Sequence, residues 1–326
     1  MLAALLVEPG HIVIDEVPEP AIERGDVRVA VGGVGLCGSD LSVFRGKWPA
    51  PRYPWVMGHE ACGVIEAVGS DVDSARLGQL VVIEPNIACR ACPECDRGRT
   101  SACRGRQSLG MNRPGALAEK VVLPADRAWP AEPRDPRDLV CVEPYTVSET
   151  ALRRRPGALP PEALVIGAGS QGLLMCLALQ RRDVSVHVLD VNPDRVAFAV
   201  DQLGAFALAP DDDRTFELVV DTTGLPEALT DAVRHSEIGA TIIEIGLEKR
   251  PFELAAETLV RRQLVLRGSL TYDHPDDFGW SVGLVNAGEV SPGRVISDEH
   301  PFADAQRAFE ASATAPGKTW IRLAST

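Results

Sequence analysis

The sequence has no hydrophobic run that reads as a membrane span. Its nearest approach, Ala163 to Leu179, is interrupted by Gly167, Gly169, Ser170, Gln171 and Gly172, which suit a strand, a turn and a helix. A secretion signal is also missing: Met1 to Val7 is apolar, but it has no basic flank and stops at Glu8-Pro9-Gly10, so it reads as a first strand. Positive charge is in deficit, with 33 Lys and Arg against 46 Asp and Glu and a formal net charge of −13. That balance argues against nucleic acid or an anionic membrane as a partner and leaves a dissolved small molecule. Internal repeats and low-complexity segments are absent. What remains, 326 residues at 45% hydrophobic and 24% charged, is the composition of a cytoplasmic globular protein with room for two domains.

Against these absences, one short loop is crowded with cysteine. Cys89, Cys92, Cys95 and Cys103 follow the pattern Cys-x2-Cys-x2-Cys-x7-Cys. Four thiolates that close can hold one tetrahedral metal, and zinc is the expected occupant. A disulfide framework is the rival, disfavoured because the cluster fills one loop of a long chain without a secretion signal. Upstream, Cys37 in Cys37-Gly38-Ser39-Asp40 and the pair in Gly58-His59-Glu60 supply a second set of metal-binding groups. One closed site beside one open site suggests catalysis. Cys62 and Cys176 lie in apolar surroundings and read as core, and His11, His187, His235, His274 and His300 have no ligand-like neighbours in sequence.

From residue 1 to about 147, short β-rich runs (Val27 to Val31, Gly63 to Val68, Leu80 to Ile83, Leu117 to Leu123) between Gly and Pro predict a compact β-barrel-like domain. A basic, proline-bearing connector, Arg153-Arg154-Arg155-Pro156 to Pro160-Pro161, marks a boundary near a helix that includes Glu149 to Leu152. Beyond it, apolar runs recur at Leu164 to Ile166, Val184 to Leu189, Phe206 to Ala209, Leu218 to Val220, Thr241 to Ile245 and Leu264 to Leu266. Six strands alternating with helical segments predict a doubly wound parallel sheet over 148–287. The tail, 288–326, carries a helix candidate at Ala303 to Ala311 and a strand candidate at Thr319 to Leu323, and is expected to return to the first domain.

Leu164-Val165-Ile166 runs into Gly167-Ala168-Gly169-Ser170-Gln171-Gly172 and then into an apolar helical face, Leu173, Leu174, Leu177 and Ala178. Between a buried strand and a helix, the glycines let backbone approach a pyrophosphate at the helix N-terminus. Asp190 ends the second strand, where a carboxylate accepts from ribose hydroxyls and repels a 2′-phosphate, favouring NAD over NADP. Asn192 and Pro193 read as N-cap and first helical residue, which puts Arg195 in the first turn, near the adenine and able to accommodate a phosphate. Thr222, in Asp221-Thr222-Thr223-Gly224, and Gly246 follow later strands and are candidate nicotinamide contacts, with ordinary strand-ending turns as the alternative.

Together these motifs resemble the zinc-containing medium-chain alcohol and polyol dehydrogenases. Cys37-Gly38-Ser39-Asp40, Gly58-His59-Glu60, the four-cysteine lobe, Leu117-Ala118-Glu119, Glu143-Pro144 and the Gly167 fingerprint occur in the family's order over nearly the whole chain. The resemblance implies a GroES-like catalytic domain, a Rossmann domain and an active site in the cleft between them. It makes Cys37 and His59 ligands of a catalytic zinc and, as in the sorbitol and glucose dehydrogenase-like subgroup, adds Glu60 and Glu143, one of them through water. Cys141, two residues before Glu143, shares its face if the segment is a strand, and is otherwise packing. Ser39 matches the family's hydroxyl relay. Where many members carry a histidine, this chain has Ser42, so the proton leaves through water or through Ser42 itself. Asp40 reads as a turn or capping residue. The aromatic stretch Phe44 to Trp55 either lines the substrate entrance or closes the core.

The function implied is a zinc-dependent oxidoreductase moving a hydride between NAD and a secondary alcohol or ketone of a polyol, sugar or cyclitol, with two zinc ions per chain. Alternatives are an aminocyclitol or L-threonine-like amino alcohol as substrate, a zinc-free reductase of activated double bonds, and a non-catalytic nucleotide-binding protein. The resemblance also implies a homodimer or homotetramer built on the sheet edge near Leu264 to Leu270.

Overall fold

A computed structural model describes residues 1–323; Ala324 to Thr326, the end of the tail expected to return, lie outside the described residues. The chain forms two compact units, Met1–Glu143 with the chain from Asp273 onward, and Pro144–Tyr272.

The first unit is built on a seven-stranded sheet. Its central strand, Asp26–Gly35, pairs antiparallel with Glu60–Val68, Lys120–Pro124 and Lys318–Arg322. Along it, Val27, Val29 and Val31 alternate inward, and from Val31 to Gly35 every residue is buried because neighbours cover both faces. The helix Ala305–Ala311 lays Ala305, Ala308 and Phe309 on the same core, with the Phe309 ring 5.1 Å from Phe44. A smaller sheet of His11–Glu16, Leu2–Glu8 and Trp55–Val56 closes one side.

The second unit is a six-stranded parallel sheet in the order Phe206–Ala207, Ser185–Leu189, Glu162–Ile166, Phe216–Asp221, Ser236–Glu244, Val265–Gly268. That is the 3-2-1-4-5-6 order of a dinucleotide fold, whose crevice opens at the carboxyl ends of the strands. The helix Ser170–Gln180 is buried from Gly172 to Leu179, as expected for an element covering the sheet. The helix Pro193–Leu203 starts where the Asn192 side chain accepts from the Asp194 N–H at 2.9 Å and stops at Gly204, whose φ of 70° suits a glycine cap. The doubly wound parallel sheet and the separate β-rich domain are both present.

The units divide at 143/144 and 272/273, whereas the sequence rhythm put the divisions at 147/148 and 287/288. The later difference has a packing cause: the helix Asp276–Ala287 follows the sixth parallel strand but packs on the first unit. Its Phe278 ring lies 5.8 Å from Trp129, Gly279 fits where a Cβ would lie 2.9 Å from the Trp129 ring, and Asn286 bonds Glu132 and Pro130. Among the described residues no helix is long and apolar enough to cross a membrane.

Candidate active site

In the four-cysteine lobe the sulfur atoms of Cys89, Cys92, Cys95 and Cys103 all lie within 4.8 Å of one another. Cys92 and Cys95 are 3.6 Å apart, close to the ~3.8 Å edge of a tetrahedron with zinc–sulfur bonds of about 2.3 Å. All four thiols are free. The Cys95 N–H leads the interactions that pull the Cys92 thiol down to about 6, which favours the thiolate a metal requires. The donor set therefore fits zinc.

The second cluster forms inside the first unit. Cys37 follows the end of the central strand at Gly35, and Glu60, with His59 just before it, opens the neighbouring strand; the pairing of Gly35 with Glu60 brings the two segments together. Their ligand atoms lie within 4.8 Å of one another. Ser39 Oγ is 3.5 Å from His59 Nε2, and Asp40 Oδ1 is 3.3 Å from His59 Nδ1. Asp40 is wholly buried and accepts from the Cys37 and Gly58 N–H groups, each at 3.1 Å. It is thus a cap, and also the carboxylate behind the imidazole, an arrangement that fixes a ligating histidine's orientation. Burial alone would depress the His59 pKa; Asp40 and the Cys37 thiol outweigh it and push it well up. The same contact overcomes burial at Asp40 and holds its carboxyl below the usual range.

Sequence reasoning missed Lys318. Its ammonium, almost fully buried, touches Glu60 Oε2 and donates to Leu36 O at 2.9 Å. Burial works to lower its pKa, but Glu60, Cys141 and Cys37 hold it above the lysine range, so it keeps its charge. The pair fits only because residue 35 is glycine: a Cβ there would lie 2.6 Å from Glu60 Oε2 and 2.7 Å from Lys318 Cε. A lysine in a tail strand carries no spacing signal that ties it to a histidine-glutamate pair so far upstream.

Glu143 is buried but lies outside the set of mutually close donors, at the start of the helix Val142–Arg153. Cys141 caps the helix Pro136–Val140, so the segment is helical rather than extended and residues two apart do not share a face. Burial also pushes the Cys141 thiol far up, as it pushes Cys62 and Cys176 to about 12. Ser42 Oγ donates to Gly38 O at 2.9 Å. Of the aromatic stretch, Phe44 and Trp55 are buried in the core, Trp55 donating to Gly110 O at 2.8 Å, while Tyr53 is 43% exposed.

In the second unit, the turn after Glu162–Ile166 forms a cradle. Gly167 has φ 88°, and a Cβ on Gly172 would lie 1.7 Å from Gly167 O. Gly169 is the N-cap of the helix Ser170–Gln180 and supplies no side-chain cap, which suits a helix N-terminus that meets an anion, with Arg195 Nη1 3.9 Å from where a Gly169 Cβ would lie. Asp190 accepts from the Ala168 N–H at 2.7 Å and the Asn192 N–H at 2.8 Å, which fixes its carboxylate beside the glycine turn. Thr222 Oγ1 donates to Ile166 O and Gly167 O, each at 3.1 Å, so the later loop packs directly on that turn. Gly246 abuts Gly224, whose N would lie 2.0 Å from an added Cβ. Gln171 faces away: its Nε2 donates to Ser148 Oγ at 2.7 Å and Pro144 O at 3.2 Å. The cradle fits a dinucleotide.

A β-domain with two metal-binding clusters, joined in one chain to a dinucleotide-binding sheet, defines a metal- and nicotinamide-dependent oxidoreductase. Residues 23–133 match the alcohol dehydrogenase GroES-like domain. The chain is 30% identical to D-altritol 5-dehydrogenase from Agrobacterium fabrum, over the full length of both proteins. A crystal structure from Escherichia coli CFT073, described as an alcohol dehydrogenase complexed with NADH, superposes with a TM-score of 0.90 at 27% identity and 99% coverage of each chain. Galactitol-1-phosphate dehydrogenase from Escherichia coli gives 0.89 at 26% identity, covering 99% of this chain and all of that one. The chain belongs to the zinc-containing medium-chain dehydrogenases and is an NAD(P)-dependent oxidoreductase.

Proposed function

We propose that this enzyme oxidises a secondary alcohol of a polyol, sugar or sugar acid with NAD, or runs the reverse reduction, at a zinc held by Cys37, His59 and Glu60. The observation that carries the reading is the convergence of those three donors in a chain that also forms a dinucleotide cradle. The substrate class is supported by the names of the similar proteins, D-altritol 5-dehydrogenase and galactitol-1-phosphate dehydrogenase.

Each residue has a part. Asp40 orients His59, and Lys318 balances the charge of Glu60 at the metal. Glu143, outside the close set, acts through a bound water. Ser39 Oγ accepts the substrate's hydroxyl proton as it passes its own onward; Ser42, already donating to Gly38 O, is not the next carrier in this arrangement, which leaves water. Zinc bound here would supply Lewis acidity to the substrate oxygen, and a nicotinamide held in the cradle would supply the acceptor for a hydride and its electron pair. Gly167, Gly169 and Gly172 admit the pyrophosphate; Asp190 takes the adenosine ribose and disfavours a 2′-phosphate, with Arg195 beside the turn; Thr222 and Gly246 line the nicotinamide side, and Gln171 supports the cradle from behind. The lobe of Cys89, Cys92, Cys95 and Cys103 holds a second, structural zinc. Free thiols throughout suit a reducing, cytoplasmic setting.

The test is NADH formation by zinc-loaded protein over D-altritol, galactitol 1-phosphate, other polyols and sugar acids, cyclitols and aminocyclitols, and L-threonine. Turnover of a polyol or sugar acid supports the reading. Turnover of threonine or an aminocyclitol alone, or of nothing, counts against it.

A further inference from the structure

A second pair of acids lies far in sequence from either metal cluster. Asp221 and Glu244 end two adjacent parallel strands, Phe216–Asp221 and Ser236–Glu244, and are register partners, so their side chains leave the same face of the sheet. Asp221 is wholly buried. Its Oδ1 accepts from the Thr223 N–H and the Thr223 hydroxyl, both at 2.8 Å. Asp221 Oδ2 and both Glu244 carboxyl oxygens are buried and, among the described residues, meet no well-aligned hydrogen-bond donor; the Gly224 and Gly246 N–H groups offset the burial of Asp221 and Glu244 only in part. Among the described residues no basic side chain pairs with either acid, so two carboxylates in that position would repel each other.

Charged groups on the surrounding elements are engaged elsewhere. On the strand Val265–Gly268, Arg267 stands opposite Ile243, and so on the other face from Glu244. At the start of the helix Pro226–Arg234, Glu227 is held by Arg250 at 2.9 Å, and Asp231 lies 3.5 Å from Arg234. Glu248, in the loop with Lys249 and Arg250, accepts their backbone N–H groups. Asp190 is taken by Ala168 and Asn192, and Glu162, at the opposite end of its strand, lies 3.6 Å from His187.

The loops that leave these strands are those that pack on the glycine turn. Thr223, bonded to Asp221, places its Cγ2 2.5 Å from where a Gly167 Cβ would be, and Gly246, two residues after Glu244, abuts Gly224. We propose that Asp221 and Glu244 share one proton, and that this proton holds the Thr222–Gly224 and Gly246 loops in the arrangement that takes the cofactor; the second part rests on the dinucleotide reading of this unit. Glu244 is then a positioning residue acting through Asp221 and Thr223. Burial and the Asp221 charge push the Glu244 carboxyl up to about 9, and burial raises Asp221 as well, in agreement with the geometry.

The sign follows from linkage. Glu244 keeps its proton in the fold up to about pH 9, whereas an unfolded glutamate loses it near ~4.3. Its contribution to stability is therefore full below the unfolded value, falls as pH rises through the window, and levels off above the folded value. Glu244→Gln carries the neutral form at every pH.

The experiment has two arms on the full chain with its zinc. In the first, melting temperatures of wild type, Glu244→Gln and Asp221→Asn are compared from pH 5.5 to 9.5 without cofactor. The gap between Glu244→Gln and wild type is expected to widen in favour of the variant as pH rises, with Asp221→Asn behaving alike; a gap independent of pH in both variants overturns the shared proton. In the second, the NADH Kd of wild type is expected to rise about tenfold from pH 8 to pH 10, as a proton needed for binding is lost, while that of Glu244→Gln stays nearly flat. Equal pH courses would refute the coupling to the loops. If NADH binds neither protein at any pH, the dinucleotide reading fails and the coupling falls with it, while the melting arm still decides the shared proton.

Discussion

At the scale of single residues, the least ordinary feature is the buried contact between Lys318 and Glu60. Removing one member of a buried ion pair strands the other, at about 3–5 kcal/mol. Lys318→Met is therefore expected to lose about that much in urea unfolding and to lower catalytic zinc occupancy, with the double change Lys318→Met, Glu60→Gln recovering part of the stability. A single variant within 1 kcal/mol of wild type would show that the pair contributes little. Gly35→Ala tests the same contact from the backbone side, since its Cβ would stand 2.6 Å from Glu60 Oε2; it should lose zinc from this site while the four-cysteine lobe keeps its own. Legibility at this scale followed local spacing. Cys37, His59, Glu60 and the lobe cysteines lie in short motifs, and the structure gathers each group. Lys318 and Glu244 act through partners supplied by strand pairing, and a lone lysine or glutamate at a strand end looks like any surface charge. Asp40 was legible as a cap, and its second contact, to His59, required the fold.

At the scale of elements, the strands were readable where alternation or continuous apolar runs set them, as at Leu80–Ile83 and Ser185–Leu189. The helix Asp276–Ala287 was not, because its sequence continues the strand-helix rhythm of the parallel sheet while Trp129, in its own first unit, provides its packing. The zinc lobe shows a similar dependence on distant chain. Ser101 N–H donates to Asp273 Oδ1 and His274 N–H to Thr100 Oγ1, both at 2.7 Å, and His274 Nδ1 lies 2.8 Å from Glu84, which also binds buried Arg127 and Trp129. The turn before Cys103 thus holds the chain just where it re-enters the first unit. Cys95→Ser is expected to release the lobe's zinc and to speed amide exchange at Asp273 and His274 as well as within 89–103; unchanged protection at Asp273 and His274 would mean that these bonds hold without the metal.

At the scale of the whole molecule, the parallel sheet of the second unit ends on Val265–Gly268, where Val265 and Leu266 are each 47% exposed and Leu270 52%. An edge strand with exposed aliphatic side chains invites pairing with a second copy. We expect a dimer or larger assembly in solution, and a charge at the edge, Leu266→Glu, should lower the mass seen by light scattering; an unchanged mass would place the interface elsewhere. The central claim, that one chain holds a catalytic and a structural zinc in separate clusters, is tested most directly by the zinc content of wild type and His59→Ala. The account predicts two zinc ions per chain falling to about one, with NADH formation abolished and the fold retained. Equal zinc in both proteins, or full activity in the variant, would contradict it.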